Sequence, residues 1–199
     1  MGTPVIPSDG FEYDLGDGFG VLPRFDGSTA TKKPHPSVGR GVPVEMVVER
    51  AVKQLRLPEP VIRTSPDSAV DQVVRVPTWL WVERSGWRPV STSVAVEGVR
   101  VTATARPVQT TWSMGEGGEV VCHGPGTPYS DAVPPDQSSP DCGYTYQRAS
   151  APDGAFDVAV RVEWDVTWRG GGRAGEVRGL VTSARQQLVV DEVQAVVTG

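Results

Sequence analysis

Apolar and polar residues alternate without a break between residues 156 and 168. The apolar positions are Phe156, Val158, Val160, Val162, Trp164, Val166 and Trp168. Charged side chains, a threonine and an alanine fill the positions between them, so a period of two places the two sets on opposite faces of an extended chain. This alternation predicts one long strand with a buried face and a solvent-facing one, as in an antiparallel sandwich.

The chain after residue 72 repeats this strand-like character in shorter stretches. Runs rich in valine, threonine and aromatic residues lie at 73–82, 90–96, 99–105, 108–114, 119–122, 144–147 and 176–190. Glycine, proline, serine and aspartate separate them, which is typical of the turns of an all-β protein. We therefore predict an antiparallel β-sandwich for residues 73–199. Its core is expected to contain Val94, Val99, Val101, Trp112, Val158, Val160, Val162 and Trp164.

Residues 43–57 follow a different period. Their apolar residues recur at helical spacing and predict one short α-helix, with a stripe formed by Val44, Val47, Val48, Ala51 and Leu55. Pro43 suits the first helical position, and Pro58 ends the helix. A helix of this length must dock its stripe, and we favour docking on the β domain over docking on a partner. The proline-rich connector that follows, to residue 72, is predicted to be extended.

Residues 1–42 combine several prolines and glycines with no sustained helical or strand period. This composition predicts an extended or partly disordered arm rather than a domain. Aromatic residues within it leave two alternatives open, an arm that lies against the main domain or a partner and a disordered tail. The predicted organisation is an arm (1–42), a helix with its connector (43–72) and a β-sandwich domain (73–199).

Composition narrows the range of partners. The 199-residue chain has 19 lysines and arginines against 24 aspartates and glutamates, which gives a formal charge of −5. The basic residues are scattered, whereas a nucleic-acid backbone requires a clustered basic face, so no nucleic acid is expected. No Gly-x-x-x-x-Gly-Lys loop occurs, which argues against nucleotide binding. No apolar run is long enough to cross a membrane, and the first residues lack the order of a signal peptide.

Two cysteines, Cys122 and Cys142, enclose nineteen residues rich in proline, serine and aspartate. This segment has too few large apolar groups to order itself by burial. A disulfide that closes it would stabilise the fold by about 3 kcal/mol on the chain-entropy model. We predict the disulfide rather than two free thiols, and with it an oxidising, extracytoplasmic compartment.

Few residues suit catalysis or metal binding. His123 lies beside Cys122 and could activate its thiol, but a disulfide to Cys142 removes that nucleophile. Two cysteines and one adjacent histidine are too few for zinc. The acids around the loop match no calcium-binding pattern and are interpreted as solvated turn residues: Glu116, Asp131, Asp136 and Asp141. We therefore predict a protein without catalytic activity, resident metal or cofactor.

Tryptophan supplies the most specific candidate surface. Trp79 and Trp81 share one face of their predicted strand, and Trp87 follows closely. If these rings are exposed they form a platform for sugar rings or a protein hot spot, and if buried they belong to the core. The same alternatives hold for Trp164 and Trp168, for which we favour the core. The candidate binding residues are Trp79, Trp81, Trp87, His123 and Tyr129.

Three blocks resemble the PKD (polycystic kidney disease) domain, an immunoglobulin-like sandwich that is usually extracellular. The family pattern is Trp-x-Phe-Gly-Asp-Gly, then His-x-Tyr, then Gly-x-Tyr-x-Val-x-Val. This chain has Trp112-Ser-Met114-Gly115-Glu116-Gly117, then Tyr144-Thr-Tyr146, then Gly154-Ala-Phe156-Asp-Val158-Ala-Val160. The resemblance covers about residues 90–168 and implies an immunoglobulin-like fold with a binding or spacing role. Glutamate and tyrosine replace the family's aspartate and histidine, which weakens the expectation of a polar contact between those positions.

The whole chain is also similar to a family of uncharacterised exported proteins of high-GC Gram-positive bacteria. The matching features are Pro77-Thr-Trp79-Leu-Trp81, Cys122-x-Gly124-Pro-Gly126-Thr-Pro-Tyr129, Ser139-Pro-Asp-Cys142-Gly143 and Trp164-x-x-x-Trp168. Our leading hypothesis is a noncatalytic extracytoplasmic sandwich that binds or spaces protein at the cell envelope. The alternatives are a carbohydrate-binding module that uses exposed tryptophans, and an accessory subunit of an envelope or secretion assembly docked through the arm and the helix.

Overall fold

A computed structural model describes residues 41–152 and 154–192, which are mostly β as predicted. The elements in chain order are α1 (Val44–Gln54), β1 (Ile62–Ser65), β2 (Gln72–Val73), β3 (Pro77–Val82), β4 (Val90–Val96), β5 (Val99–Ser113), β6 (Glu119–Cys122), β7 (Gly143–Thr145), β8 (Phe156–Gly170), β9 (Arg173–Leu188) and β10 (Val190–Asp191). The predicted arm lies, up to residue 40, outside the described residues. No helix in the described range is both long and apolar enough to cross a membrane.

A large antiparallel sheet is built around β8, which pairs with β5 on one side and β9 on the other. β4 and β6 pair in succession with the other edge of β5. The predicted alternation holds along β8, because its apolar residues from Phe156 to Val166 are all buried and Trp168 is partly buried. This sheet therefore has one apolar inner face and one polar outer face.

Two different layers cover the inner face. β1, β3 and β7 form a small antiparallel sheet, whose core residues cluster with Phe156, Val158 and Val160. α1 packs on the other half of the face, in a second cluster that includes Val162 and Trp164. The sandwich is therefore completed by a sheet at one end and by a helix at the other.

The apolar stripe of α1 faces the large sheet, as we favoured. Val47 and Ala51 are fully buried, and Val48 and Leu55 nearly so. The helix is shorter than predicted, and Pro43 is its N-cap rather than its first helical residue. Because the stripe is buried against this chain's own sheet, it is not available to a partner.

The predicted boundaries of several strands are wrong. The runs 99–105 and 108–114 form the single strand β5, whose register with β8 shifts between Pro107 and Gln109. Pro107 is tolerated there because β4 pairs with β5 only up to Ala105 and β6 only from Thr110, so one side of β5 has no neighbour. β1 forms within the predicted connector. β2 and β10 pair in parallel, whereas an antiparallel fold was predicted throughout.

The predicted core is buried except at Val99, which is only partly covered. Trp112 and Trp164 are its largest members. Each ring nitrogen has a hydroxyl partner: Trp112 Nε1 donates to Thr110 Oγ1 at 3.1 Å and Trp164 Nε1 to Thr182 Oγ1 at 3.0 Å. Both tryptophans therefore bury their apolar rings without an unpaired N–H group.

Candidate functional site

The candidate site is the outer face of the small sheet together with the loop of residues 123–141 that lies on it, here called the loop-covered face. Along β3, Leu80 and Val82 point into the core, so the strand period turns Trp79 and Trp81 outward. Ser65 and Arg63 of β1 lie directly opposite these two tryptophans. Since residues directly opposite share a face, all four belong to this outer surface.

Trp79 is covered by the disulfide-closed loop. Its Nε1 donates to the carbonyl oxygen of Gln137 at 2.7 Å, and the ring of Tyr129 stands edge-on to it with centroids 5.3 Å apart. Only 4% of Trp79 is exposed. Trp79 therefore presents no free ring face and cannot belong to an exposed platform for sugars.

The loop is tied down at several points. The predicted disulfide between Cys122 and Cys142 is present, with the two Cα atoms 5.5 Å apart. Asp141 accepts hydrogen bonds from the backbone N–H and the hydroxyl of Thr127, at 3.0 and 2.9 Å. Gly126 has a φ of +84°, and a Cβ there would collide with the backbone of Leu80, so the loop touches β3 where only glycine fits. The loop is thus a folded part of the domain.

Trp81 and Tyr129 remain partly exposed on this face. Trp81 lies beside an ion pair in which Arg63 Nε donates to Glu83 Oε2 at 2.8 Å. A cleft of about 110 Å³ opens next to Tyr129, and its walls are mainly proline and aromatic: Ser65, Pro66, Val76, Pro77, Trp79, Tyr129 and Pro135. Such a cleft suits a small apolar side chain or the edge of a ring.

The other predicted site residues are dispersed. Trp87 is partly buried and packs against both core clusters, at the junction of the helix and the small sheet. His123 is exposed at the start of the loop, and the thiol of its neighbour Cys122 is consumed by the disulfide. In the described ranges, no group of three or more histidines, cysteines, aspartates or glutamates is placed to hold a metal ion. The structure brings together Trp79, Trp81 and Tyr129 only.

A polar contact joins two of the three PKD-like blocks, which sequence reasoning did not expect. The hydroxyl of Tyr144 donates to Glu116 Oε1 at 2.7 Å, and the same carboxylate accepts from the backbone N–H of Gln147. Tyr144 also packs edge-on against Tyr146, whose ring stacks on Phe156. Burial and the bond to Glu116 raise the pKa of Tyr144 to about 12. The signal in the sequence was the matched pair of substitutions, since glutamate and tyrosine still form a donor and an acceptor.

Glu116→Gln is expected to lower the pKa of Tyr144 from about 12 while keeping it above its ordinary value, because the burial remains. The folded state holds this proton more tightly than the unfolded state does. The resulting stability is present below about pH 10 and is lost as the pH rises through about 12. Ultraviolet absorbance titration, with Tyr144→Phe to assign the transition, measures this pKa.

The matched control is Glu119→Gln, which removes an exposed glutamate from the neighbouring strand β6. This variant should leave the titration of Tyr144 unchanged. A Glu116→Gln protein that titrates like the wild type would show that Glu116 does not act on Tyr144.

The groups that the loop-covered face presents to solvent can be described together. The face combines two partly exposed aromatic rings, a proline-lined cleft and one surface ion pair on a scaffold held by a disulfide. These are groups that bind through surface complementarity. Comparisons of this chain with protein-family models, with curated proteins and with solved structures find no match.

Proposed function

We propose that this chain is a noncatalytic extracytoplasmic sandwich, immunoglobulin-like and of PKD type, that binds or spaces protein at the cell envelope. The loop-covered face is its contact surface. Trp81 and Tyr129 supply the exposed aromatic area, and the proline-lined cleft beside Tyr129 supplies a pocket.

The observation that carries the proposal is the loop folded over Trp79. A disulfide at its base, the Trp79 bond to Gln137 and the Asp141 bonds to Thr127 hold it in one arrangement. A surface ordered before binding loses less conformational entropy when a partner docks. Aromatic rings on such a surface are the side chains that most often dominate protein interfaces.

Two further observations support the finer parts of the proposal. Glu116 and Tyr144 stand where the PKD family has aspartate and histidine, and their contact at 2.7 Å supports the resemblance. The disulfide supports an oxidising compartment, because such bonds are rare in reducing cytosol. Cys122, the cysteine next to His123, is oxidised in that bond, which supports a noncatalytic role.

A double variant tests the surface. An isolated envelope fraction should retain the Trp81→Ala/Tyr129→Ala variant at least about tenfold less well than the wild-type domain. The control is Val108→Ala/Val121→Ala, which truncates apolar residues that are 41% and 52% exposed on β5 and β6 of the large sheet. Equal retention of the two double variants, or no retention of the wild type, would refute the proposal.

Partial exposure of Trp81 and Tyr129 also favours a second candidate, binding of a neutral glycan through ring stacking. Enzymatic digestion of the envelope fraction distinguishes a protein partner from a glycan. Protease digestion should abolish retention if the partner is a protein. Retention that survives protease and disappears after glycan hydrolysis would favour the carbohydrate-binding module instead.

A further inference from the structure

Hydroxyl side chains cover one end of the outer face of the large sheet. Two pairs bridge β4 and β5: the hydroxyls of Ser91 and Thr104 are 2.9 Å apart and those of Ser93 and Thr102 are 2.6 Å apart. Thr167 on β8 lies directly opposite Thr104. Three adjacent strands, β4, β5 and β8, therefore present hydroxyl groups side by side, here called the floor of this surface.

Arginines stand around this floor. Arg106 and Arg169 line a shallow depression of about 310 Å³, whose remaining walls are Thr102, Thr104 and Thr167. Arg100 lies two residues before Thr102 and so projects from the same face of β5. By strand rise, Arg100 and Arg106 are about 20 Å apart, and Arg169 lies between them, opposite Thr102. We call this surface the arginine face.

The arginines of this face form no ion pair with an acid of the described residues. Among residues 41–152 and 154–192, no carboxylate oxygen lies within 4.0 Å of Arg100, Arg106 or Arg169. Asp165 is opposite Arg106 without forming an ion pair, and Glu176, opposite Thr167, instead accepts from Arg178. With Arg100, Arg106 and Arg169 against Asp165, this end of the outer face has more positive than negative side chains.

From this charge complementarity, we infer that the arginine face binds an acidic polysaccharide. The guanidinium groups donate to its sulfate, phosphate or carboxylate groups, and the serine and threonine hydroxyls bond to its sugar hydroxyls. Charges spread over about 20 Å fit several anionic groups of one polymer better than one small anion. The face lies on the opposite side of the large sheet from the small sheet, so this inference does not depend on the loop-covered face.

The chemistry of the face disfavours other polyanions. Duplex DNA carries one charge per about 1.7 Å of helix axis and is bound by a dense basic surface, whereas the arginine face spreads three arginines over about 20 Å. An acidic peptide would need apolar pockets for its anchoring side chains, and the depression is lined by threonine and arginine alone. Arginine with hydroxyl neighbours therefore fits an acidic sugar polymer best.

The test uses dextran sulfate and polygalacturonate as probes, with uncharged dextran as the reference. The full chain should bind at least one acidic polymer with an affinity that falls as salt rises, and should not bind dextran. Arg106→Gln/Arg169→Gln should weaken that binding at least about tenfold. The control, Arg161→Gln/Arg185→Gln, removes the same charge from exposed positions on β8 and β9 of the same outer face, and should change binding less than about twofold.

Three results would overturn the inference. They are no binding of either acidic polymer, an equal loss in both double variants, and tighter binding of duplex DNA or polyglutamate than of the polysaccharides. If Arg106→Gln/Arg169→Gln unfolds, Arg106→Lys/Arg169→Lys replaces it. The lysine variant keeps the charge but loses the planar donor pair, and it should still bind several-fold more weakly than the wild type.

Discussion

Replacing Trp112 with alanine is expected to lower the free energy of unfolding by about 3–5 kcal/mol. The indole is fully buried, and on β5 it lies opposite Val160 of β8 and Val120 of β6. Alanine would leave most of the ring's volume empty beneath the small sheet. Domains of this size are stable by only about 5–15 kcal/mol, so this one change would remove a large part of the total.

Part of that loss comes from a chain of hydrogen bonds. Trp112 Nε1 donates to Thr110 Oγ1 at 3.1 Å, and the Thr110 hydroxyl donates to the carbonyl of Gly124 at 3.2 Å. This chain links the centre of the core to the first residues of the disulfide-closed loop. Trp112→Phe keeps much of the side-chain volume and removes the N–H donor. It should therefore lower the free energy of unfolding less than Trp112→Ala does, but more than the substitution of an exposed residue does.

Trp81→Ala is the matched control, because it removes the same atoms from a partly exposed position. It should cost less than half as much as Trp112→Ala, since the ring in the native state already contacts water on one side. Urea denaturation, monitored by far-ultraviolet circular dichroism, measures the free energy of unfolding of both variants. Equal losses would show that Trp112 is not the centre of this core.

Helices and strands whose apolar residues follow a single period along the whole element could be predicted from the sequence. The alternation from Phe156 to Val166 required one buried face, and burial along β8 follows it residue by residue. The stripe of α1 likewise needed an apolar surface, and the sheet supplies it. In both cases the local pattern and the long-range contact demand the same arrangement.

The layer that covers a sheet could not be predicted in the same way. The apolar face of β8 is equally well covered by strands, at Phe156 and Val158, and by a helix, at Val162 and Trp164. Nothing in its alternation distinguishes the two. Sequence reasoning therefore predicted two sheets, and a helix completes half of the sandwich.

The solvent exposure of the tryptophans on β3 depends on contacts with residues that are distant in sequence. Period two correctly placed Trp79 and Trp81 on one face, but it could not show that Gln137 and Tyr129 cover Trp79. That covering is made by a polar, proline-rich loop, which has no period to interpret. The cysteines and the tryptophans therefore located the candidate site from the sequence. Which of its side chains are exposed could be seen only in the structure.

Removal of the disulfide by Cys122→Ala/Cys142→Ala is expected to lower the free energy of unfolding by about 3 kcal/mol. The cross-link closes a loop between residues 20 apart, and both cysteines are buried in the core beneath the small sheet. Without it, the loop is held mainly by single hydrogen bonds worth about 1 kcal/mol each. We expect the loop to open locally before the domain unfolds, which exposes Trp79 to water.

Tryptophan emission should therefore shift to longer wavelength in the double variant under native conditions, and limited proteolysis should cleave within residues 123–141. Repeating the experiment in a Trp79→Phe background assigns the shift, since the change should then disappear. A reducing agent added to the wild type should reproduce both effects.

Asp141→Asn is the control that keeps the cross-link and weakens the bonds to Thr127. This variant should lower the free energy of unfolding by about 1–2 kcal/mol and leave Trp79 covered, because the disulfide still limits how far the loop can move. If Asp141→Asn exposes Trp79 as fully as loss of the disulfide does, the cross-link alone does not hold the loop, and the Asp141 hydrogen bonds are equally necessary. If instead Cys122→Ala/Cys142→Ala keeps Trp79 covered, the loop-covered face would persist in a reducing compartment, and the disulfide would no longer support an extracytoplasmic role.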